Sequence, residues 1–173
     1  MIRPVRRFFV LTCVVTWFLP SCGYRLANKN MNAGKGQTIA VPTFTNTTST
    51  YRIEQRLTEA VRQELIRRTQ FSVVPDNQGD VVMAGEVLSY IAIPVIFNRQ
   101  GRGSAYTMVV DMNVRVTETK TGKVLFRNDR FSFRDVYELA QSSSEFVPED
   151  PAALDRLARR FASSLVASVM HAK

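Results

Sequence analysis

The chain has 173 residues, 45% of them hydrophobic and 22% charged, with eight glycines and seven prolines, which excludes a disordered or fibrous protein and suits one ordinary domain. Lysine and arginine number 23 against 15 acids, a formal charge of +8 that favours nucleic acid, anionic lipid or another acidic partner. A single histidine, His171, and two cysteines, Cys13 and Cys22, cannot supply a zinc site of Cys and His ligands, so most metal-centred and histidine-based chemistry is removed.

Met1 to Arg7 carries Arg3, Arg6 and Arg7 with no acid, Phe8 to Leu19 is an almost uninterrupted apolar run, and Pro20, Ser21 and Cys22 follow. This is the anatomy of an export signal. Its core is about a dozen residues, short of the roughly 20 of a spanning helix, so a transmembrane anchor is not expected. Leu19-Pro20-Ser21-Cys22 resembles the lipobox of bacterial lipoproteins, with Pro20 departing from the usual small residue. The resemblance implies that the Cys22 thiol takes a diacylglycerol as a nucleophile, that residues 1–21 are removed, and that the new amino group is acylated. No cofactor is expected beyond that covalent lipid. Acyl chains add about 0.8 kcal/mol per buried methylene, and two or more hold a protein durably on a membrane surface.

From Gly23 to Gln37 the chain is polar and turn-prone, so residues 22–37 read as a lipidated flexible tether. Thr38 to Phe44 is a short β-rich run closed by Asn46, and the cluster Thr47 to Thr50 can cap a helix. That helix is predicted to begin near Tyr51, because Ile53, Leu57, Ala60, Val61 and Leu65 recur at three and four residues; Arg67 and Arg68 fall in its last turn, where cations suit the dipole. Phe71 to Val74 is a second short strand, stopped by Pro75-Asp76-Asn77. Val81 to Ile93 is a longer one, ended by Pro94 and followed by the polar loop Asn98 to Gly103.

Tyr106 to Val116 alternates cleanly, placing Tyr106, Met108, Val110, Met112, Val114 and Val116 on a buried face and Thr107, Asp111, Asn113 and Arg115 mainly on the other. Thr119 to Lys123 is a turn, so Val124 to Arg134 pairs antiparallel with the preceding strand. Val124 and Phe126 share one parity and Phe131 and Phe133 the opposite one, which requires a bulge near Asn128-Asp129 and turns Arg127, Arg130 and Arg134 outward beside Arg115. Val136 to Val147 reads as a loop. Asp150 and Pro151 supply an N-cap and first helical position, and Leu154, Leu157, Ala158, Phe161, Ala162, Leu165 and Val169 form the stripe of a last helix.

Residues 38–173 are therefore expected to form an α+β domain, a two-layer sandwich with two amphipathic helices on one face of a mostly antiparallel sheet of four to five strands. The other face is left free and polar. No internal repeat and no coiled-coil heptad run is present.

The residues nominate little catalysis. Ser142, Ser143 and Ser144 lack a G-x-S-x-G setting, Gly101-Arg102-Gly103 lacks the strand-turn-helix of a phosphate loop, and Glu54, Glu59, Glu86 and Asp111 are scattered. His171 reads as an exposed capping residue. No enzyme is expected. The basic residues are the better signal: Arg99 and Arg102 crowd one loop, Lys120 and Lys123 a turn at the other end of the hairpin, and guanidinium and ammonium groups bind phosphates by charge-assisted hydrogen bonds. Nucleic acid is disfavoured as a partner, because an export signal takes the chain out of the cytoplasm and Tyr24, Tyr90, Tyr106 and Phe97 do not interleave with the bases. An acidic glycolipid suits the pattern better.

The arrangement resembles the LptE-type lipoproteins of lipopolysaccharide assembly. The matching residues are Cys22-Gly23-Tyr24-Arg25-Leu26, the strand Ile39 to Asn46, the helix with Glu64-Leu65 near its end, Asp80 to Tyr90 with Gly85-Glu86-Val87, and Thr121-Gly122-Lys123-Val124-Leu125. The resemblance implies an outer-membrane lipoprotein, lipid-anchored on the periplasmic side, that helps assemble and plugs an LptD-type β-barrel and binds lipopolysaccharide. Gly23, where an aspartate would favour inner-membrane retention, agrees with that sorting. Arg99, Arg102, Lys120 and Lys123 are expected to meet the lipid's phosphates on grounds of loop position and charge. A scaffold or pilot for another envelope machine, without lipopolysaccharide affinity, is the alternative, and an envelope hydrolase a third reading that no residue supports.

Overall fold

The fold is that of a computed structural model, which describes residues 35–75, 78–138 and 151–172. Within these the elements run β1 (Thr38–Ala40), β2 (Thr45–Asn46), α1 (Ile53–Arg68), β3 (Ser72–Val74), β4 (Val81–Phe97), β5 (Gly103–Glu118), β6 (Val124–Glu138) and α2 (Pro151–His171). The expected order of strand, helix, short strand, three long strands and helix holds, with one added strand. Asp76 and Asn77 of the predicted turn, the loop beyond Glu138 and the predicted N-cap Asp150 lie outside the described residues.

The sheet has six strands in the order β3-β1-β4-β5-β6, with β2 also on β4. It is mixed, where a mostly antiparallel sheet of four to five strands was expected. β1 is parallel to both β3 and β4, and β2 is parallel to β4. The reason is α1: it is the crossover that returns the chain to the same end of the sheet, which a parallel pair requires. The run Thr38 to Phe44 does not form one strand. It leaves the sheet after Ala40, and the Phe44 amide donates to the Thr58 hydroxyl of α1 at 3.0 Å instead of to a neighbouring strand.

The start of α1 also differs. Arg52, just before it, adopts a left-handed conformation (φ 56°, ψ 20°) and gives no side-chain cap. The Ser/Thr cluster is engaged elsewhere: the Asn46 side-chain amide donates to Thr50 O and Glu54 Oε2, and its oxygen accepts from the Thr48 amide and hydroxyl. The potential cap is consumed in organising the loop.

β4 passes through Pro94 to Phe97. A proline is tolerated at a sheet edge or beside a bulge, and here both conditions hold: β4 is irregular between Pro94 and Ile96, and among the described residues no strand pairs with it beyond Val87 on the side away from β5.

β6 carries the bulge that the parity of its phenylalanines demands. Val114 faces Asn128 while Met112 faces Phe131, an extra residue that swings Phe131 and Phe133 to the core. A second shift, with Val116 facing Phe126 and Thr117 facing Val124, leaves Val124 and Leu125 exposed, each at 46%. Val124 is thus not part of the apolar face. The strand continues to Glu138, so Val136 to Glu138 is not loop.

Both helices lie on one face, as expected. α1 buries Ile53, Leu57, Val61 and Leu65, and α2 buries Leu154, Leu157, Phe161 and Leu165, against Met108, Val110, Met112, Val114 and Val116 of β5. Phe161 receives the rings of Phe131 and Phe133 edge-on, with centroids 5.7 and 6.0 Å away. Gly85 is tightly enclosed in this layer: a Cβ there would stand 2.7 Å from the mobile end of Met112 (Cε), 3.1 Å from Asn113 O and 3.2 Å from Phe44 Cδ1, so a larger residue would force these neighbours to shift. Within the described residues no helix is long and apolar enough to cross a membrane.

Candidate functional site

β5 spans 16 residues, which at about 3.3 Å each makes the β4–β5 hairpin roughly 50 Å long. Its two ends carry the two basic pairs. At the β4–β5 turn the Asn98 side-chain oxygen accepts from the Gln100 and Arg102 amides at 3.0 and 2.9 Å, and the Asn98 amide donates to Arg102 O at 2.8 Å. Gly101 supplies the left-handed residue (φ 73°). This turn presents Arg99 and Arg102, both exposed, at the extremity of the molecule.

Lys120 and Lys123 occupy the β5–β6 turn at the opposite end, closed by the Glu118 amide donating to Lys123 O and the Gly122 amide to Glu118 O, each at 2.9 Å. Lys120 Nζ is 3.6 Å from Asp80 Oδ1. The Asp80 carboxylate also accepts from the Thr38 amide at 3.1 Å and the Thr38 hydroxyl at 2.9 Å, and these bonds, the amide first, hold it below the usual carboxylate range with Lys120 adding to the effect. Lys120 therefore helps fasten the point where the chain enters the sheet. The structure keeps Arg99 and Arg102 together, and Lys120 and Lys123 together, but places the pairs a hairpin's length apart. One phosphate cannot touch both.

Between the ends, Arg115, Arg127, Arg130 and Arg134 are exposed on the face away from the helices, as the alternation predicts. They do not form an unopposed cationic field. Arg127 Nε donates to Asp129 Oδ1 at 2.7 Å, which raises the arginine's pKa and lowers the acid's, with Arg115 contributing to the latter. Asn113 Nδ2 donates to Glu86 Oε2 at 2.7 Å. These residues, with Thr45 and Gly85, line an open depression of roughly 360 Å³ whose mixed charges cancel.

Two features escaped the sequence reading. The free face is not uniformly polar: towards the β4–β5 turn Ile91 and Ile93, both 48% exposed, and Val136 on β6, 49% exposed, share it by register, and the consecutive Val95, Ile96 and Phe97 at the strand's end are 49–59% exposed. Reading Pro94 as a strand end hid this, although the apolar letters run on to Phe97. Second, Asp135 has the core parity of Phe131 and Phe133, and its side chain is only 6% exposed; it meets Arg160 Nη1 at 2.5 Å and Arg156 Nε at 3.8 Å from α2. An acid at a core position, with arginines at i and i+4 on the next helix, was the available signal.

A shallow groove of about 400 Å³ runs between the helices, bordered by Arg56, Glu59, Gln63, Asp155 and Arg159, with Arg56 and Asp155 paired across it. Within the described residues no group of three or more His, Cys, Asp or Glu side chains is placed to hold a metal. His171 is exposed at the end of α2, and Cys22 lies outside the described residues.

Compared with known proteins, residues 36–169 match the model of the family LptE, described as lipopolysaccharide-assembly. No curated protein matches the chain by sequence. Solved structures that share its fold include a protein of Xanthomonas campestris, 13% identical over 82% of this chain and 89% of that one with a TM-score of 0.53. A hypothetical protein of Chlamydia trachomatis is 13% identical over 79% of this chain and 96% of the other, also with a TM-score of 0.53. At these identities the likeness concerns the fold alone.

Proposed function

This chain belongs to the LptE family of lipopolysaccharide assembly, and on that premise we propose that it is an outer-membrane lipoprotein, held through Cys22 on the periplasmic side, which helps assemble and plugs an LptD-type barrel and binds lipopolysaccharide. The observation that carries this is the extent of the family match: residues 36–169 include every strand and nearly all of both helices.

The geometry is compatible with the role. A domain built as one long hairpin layer with helices on a single side leaves its other face open for a barrel wall. Arginines at the hairpin turn bind phosphates without moving a proton, so the proposed action is binding and assembly and not turnover. The lipobox supports attachment by acyl chains, and the polar, turn-prone composition of residues 22–37 suits a link between that anchor and the domain.

Purification from native membranes tests the reading. A large outer-membrane barrel protein should co-purify in detergent, and mass spectrometry should find a chain that starts at Cys22 and carries lipid. A stable monomer with no barrel companion, or an unmodified chain starting at Met1, overturns it.

A further inference from the structure

The chain enters the domain at the end that carries the lysine turn. Thr38, the first residue of β1, pairs with Ser72 of β3, and Ile39 pairs with Val81, the first residue of β4. Val81 in turn pairs with Glu118 at the close of β5, and the Thr119 amide donates to Asp80 O at 2.8 Å. The β5–β6 turn is therefore beside the entry point, where the Thr38 amide and Lys120 Nζ converge on the Asp80 carboxylate. α1 closes at Arg68, shortly before Ser72, so its last turn lies at this end too. Lys35, Arg67, Arg68, Lys120 and Lys123 are all exposed there. The acids of this end, among the described residues, are Glu64, which Arg67 and Arg68 meet, Asp80, which Lys120 meets, and Glu118, which accepts from the Thr121 hydroxyl. Cations remain in excess, and apolar side chains stand exposed beside them: Ile66 at 63%, and Val124 and Leu125 at 46% each directly after Lys123.

We propose that this end of the domain is a docking surface for an anionic phospholipid bilayer, the leaflet that holds the Cys22 anchor, with Lys35, Lys120 and Lys123 at the headgroup phosphates and Val124 and Leu125 at the interface. The proposal rests on the lipid anchor read above and adds which end of the domain faces the membrane and what it meets there. Residues 22–34 join Cys22 to Lys35 and span at most roughly 45 Å even when fully extended, so an anchored domain keeps its lysine end near the leaflet. Lysines within about a Debye length, roughly 8 to 10 Å, of an anionic surface are drawn to it, and exposed apolar side chains beside them add to the hold. Confinement by the anchor makes even a weak attraction sufficient, because docking is then an intramolecular event. Arg99 and Arg102, a hairpin's length away, are carried off the surface, and the two basic pairs take different partners.

A tryptophan reporter tests this. Trp17 is the one tryptophan of the sequence and falls in the segment that lipidation at Cys22 removes, so a single tryptophan placed in the mature protein reports alone. Lipidated protein carrying L125W, or F97W at the far turn, is reconstituted into phosphatidylcholine vesicles with or without phosphatidylglycerol, and quenching by a lipid spin-labelled on its headgroup is recorded. With phosphatidylglycerol present L125W should be quenched at least about twofold more than F97W, and the difference should vanish in 1 M salt, where the Debye length is about 3 Å. K35Q/K123Q should abolish most of the difference while leaving the Lys120–Asp80 pair in place; circular dichroism checks its fold, and the salt series needs no such variant. Lipidated protein whose L125W is quenched no more than F97W overturns the docking surface and leaves the anchor standing. Mass spectrometry that finds Cys22 without lipid removes both. Equal quenching of L125W in vesicles that lack phosphatidylglycerol overturns the choice of an anionic lipid. An emission shift of L125W with lipid A micelles as large as with phosphatidylglycerol vesicles assigns the turn to the glycolipid and overturns the proposal.

Discussion

The Asp135 cluster makes a prediction whose sign depends on which partner is removed. Its carboxylate is 6% exposed, while the side chains of Arg156 and Arg160 are 34% and 58% exposed. Neither Asp135 Oδ2 nor Arg156 Nε has a hydrogen-bond partner among the described residues, so the pair holds together by charge more than by ideal geometry. Arg160 is largely screened by water, and the attraction itself contributes little net stability. What counts is the cost of leaving a buried charge alone. In R156M/R160M the apolar stems remain but the carboxylate is stranded, which should cost about 3 to 5 kcal/mol. In D135L the arginines can turn to solvent and no buried charge is left, so the cost should be about 1 to 2 kcal/mol. The triple variant should recover most of what the double arginine variant loses, since replacing a buried ion cluster by apolar groups of similar volume is close to neutral. Arg156 also donates to Val136 O at 2.6 Å and lies 4.7 Å over the Tyr137 ring, losses common to both variants that lack it. Urea unfolding at pH 7 measures all three. If D135L proves as costly as R156M/R160M, or the triple variant no more stable than the double, the account of a buried acid neutralised by surface arginines is wrong.

Phe161, fully buried with two aromatic edges on it, should cost about 3 to 5 kcal/mol on replacement by alanine, read as a lower urea midpoint at unchanged m-value; a loss under about 1 kcal/mol would show that α2 is not packed on β6. G85A should destabilise by about 1 to 3 kcal/mol through overpacking against Met112 and Phe44, and M112A in the same chain should relieve part of that overlap, a coupling readable in a double-mutant cycle. The Asp80 carboxyl is held low in the fold, so its contribution is present above the unfolded value near about 3.9 and is lost as pH falls through the folded value. The stability gap between wild type and D80N should therefore be constant above about pH 5 and narrow towards pH 3; a gap that widens on acidification contradicts the assigned bonds.

Legibility in the sequence followed periodicity. The alternation of Tyr106 to Val116 gave the buried face of β5 residue by residue, and the parity switch between Phe126 and Phe131 required the bulge that the pairing shows. The stripe from Leu154 to Leu165 gave the buried side of α2. Short pieces were illegible for the opposite reason. Three residues of β1 and two of β2 are too few to show a period, and whether such a piece is a strand depends on the neighbour that accepts its hydrogen bonds. The cap of α1 failed because the hydroxyls of the cluster are engaged elsewhere, that of Thr48 on Asn46 Oδ1 and that of Thr47 on Val87 O.

The candidate site divides along the same line. Arg99, Arg102, Lys120 and Lys123 could be assigned to turns at opposite ends of a hairpin from the order of residues alone, and the export signal and lipobox are local words that need no fold to be read. Only the tertiary structure decided that Lys120 stands at Asp80, forty residues earlier in the chain, that Asp135 is met by arginines of α2, and that among the described residues β4 beyond Val87 is paired by β5 alone. Sequence patterns record how often a residue returns to the same side of its own element. Which distant charge arrives there, and whether anything covers it, depends on register and layer packing, and these are fixed by the whole chain at once.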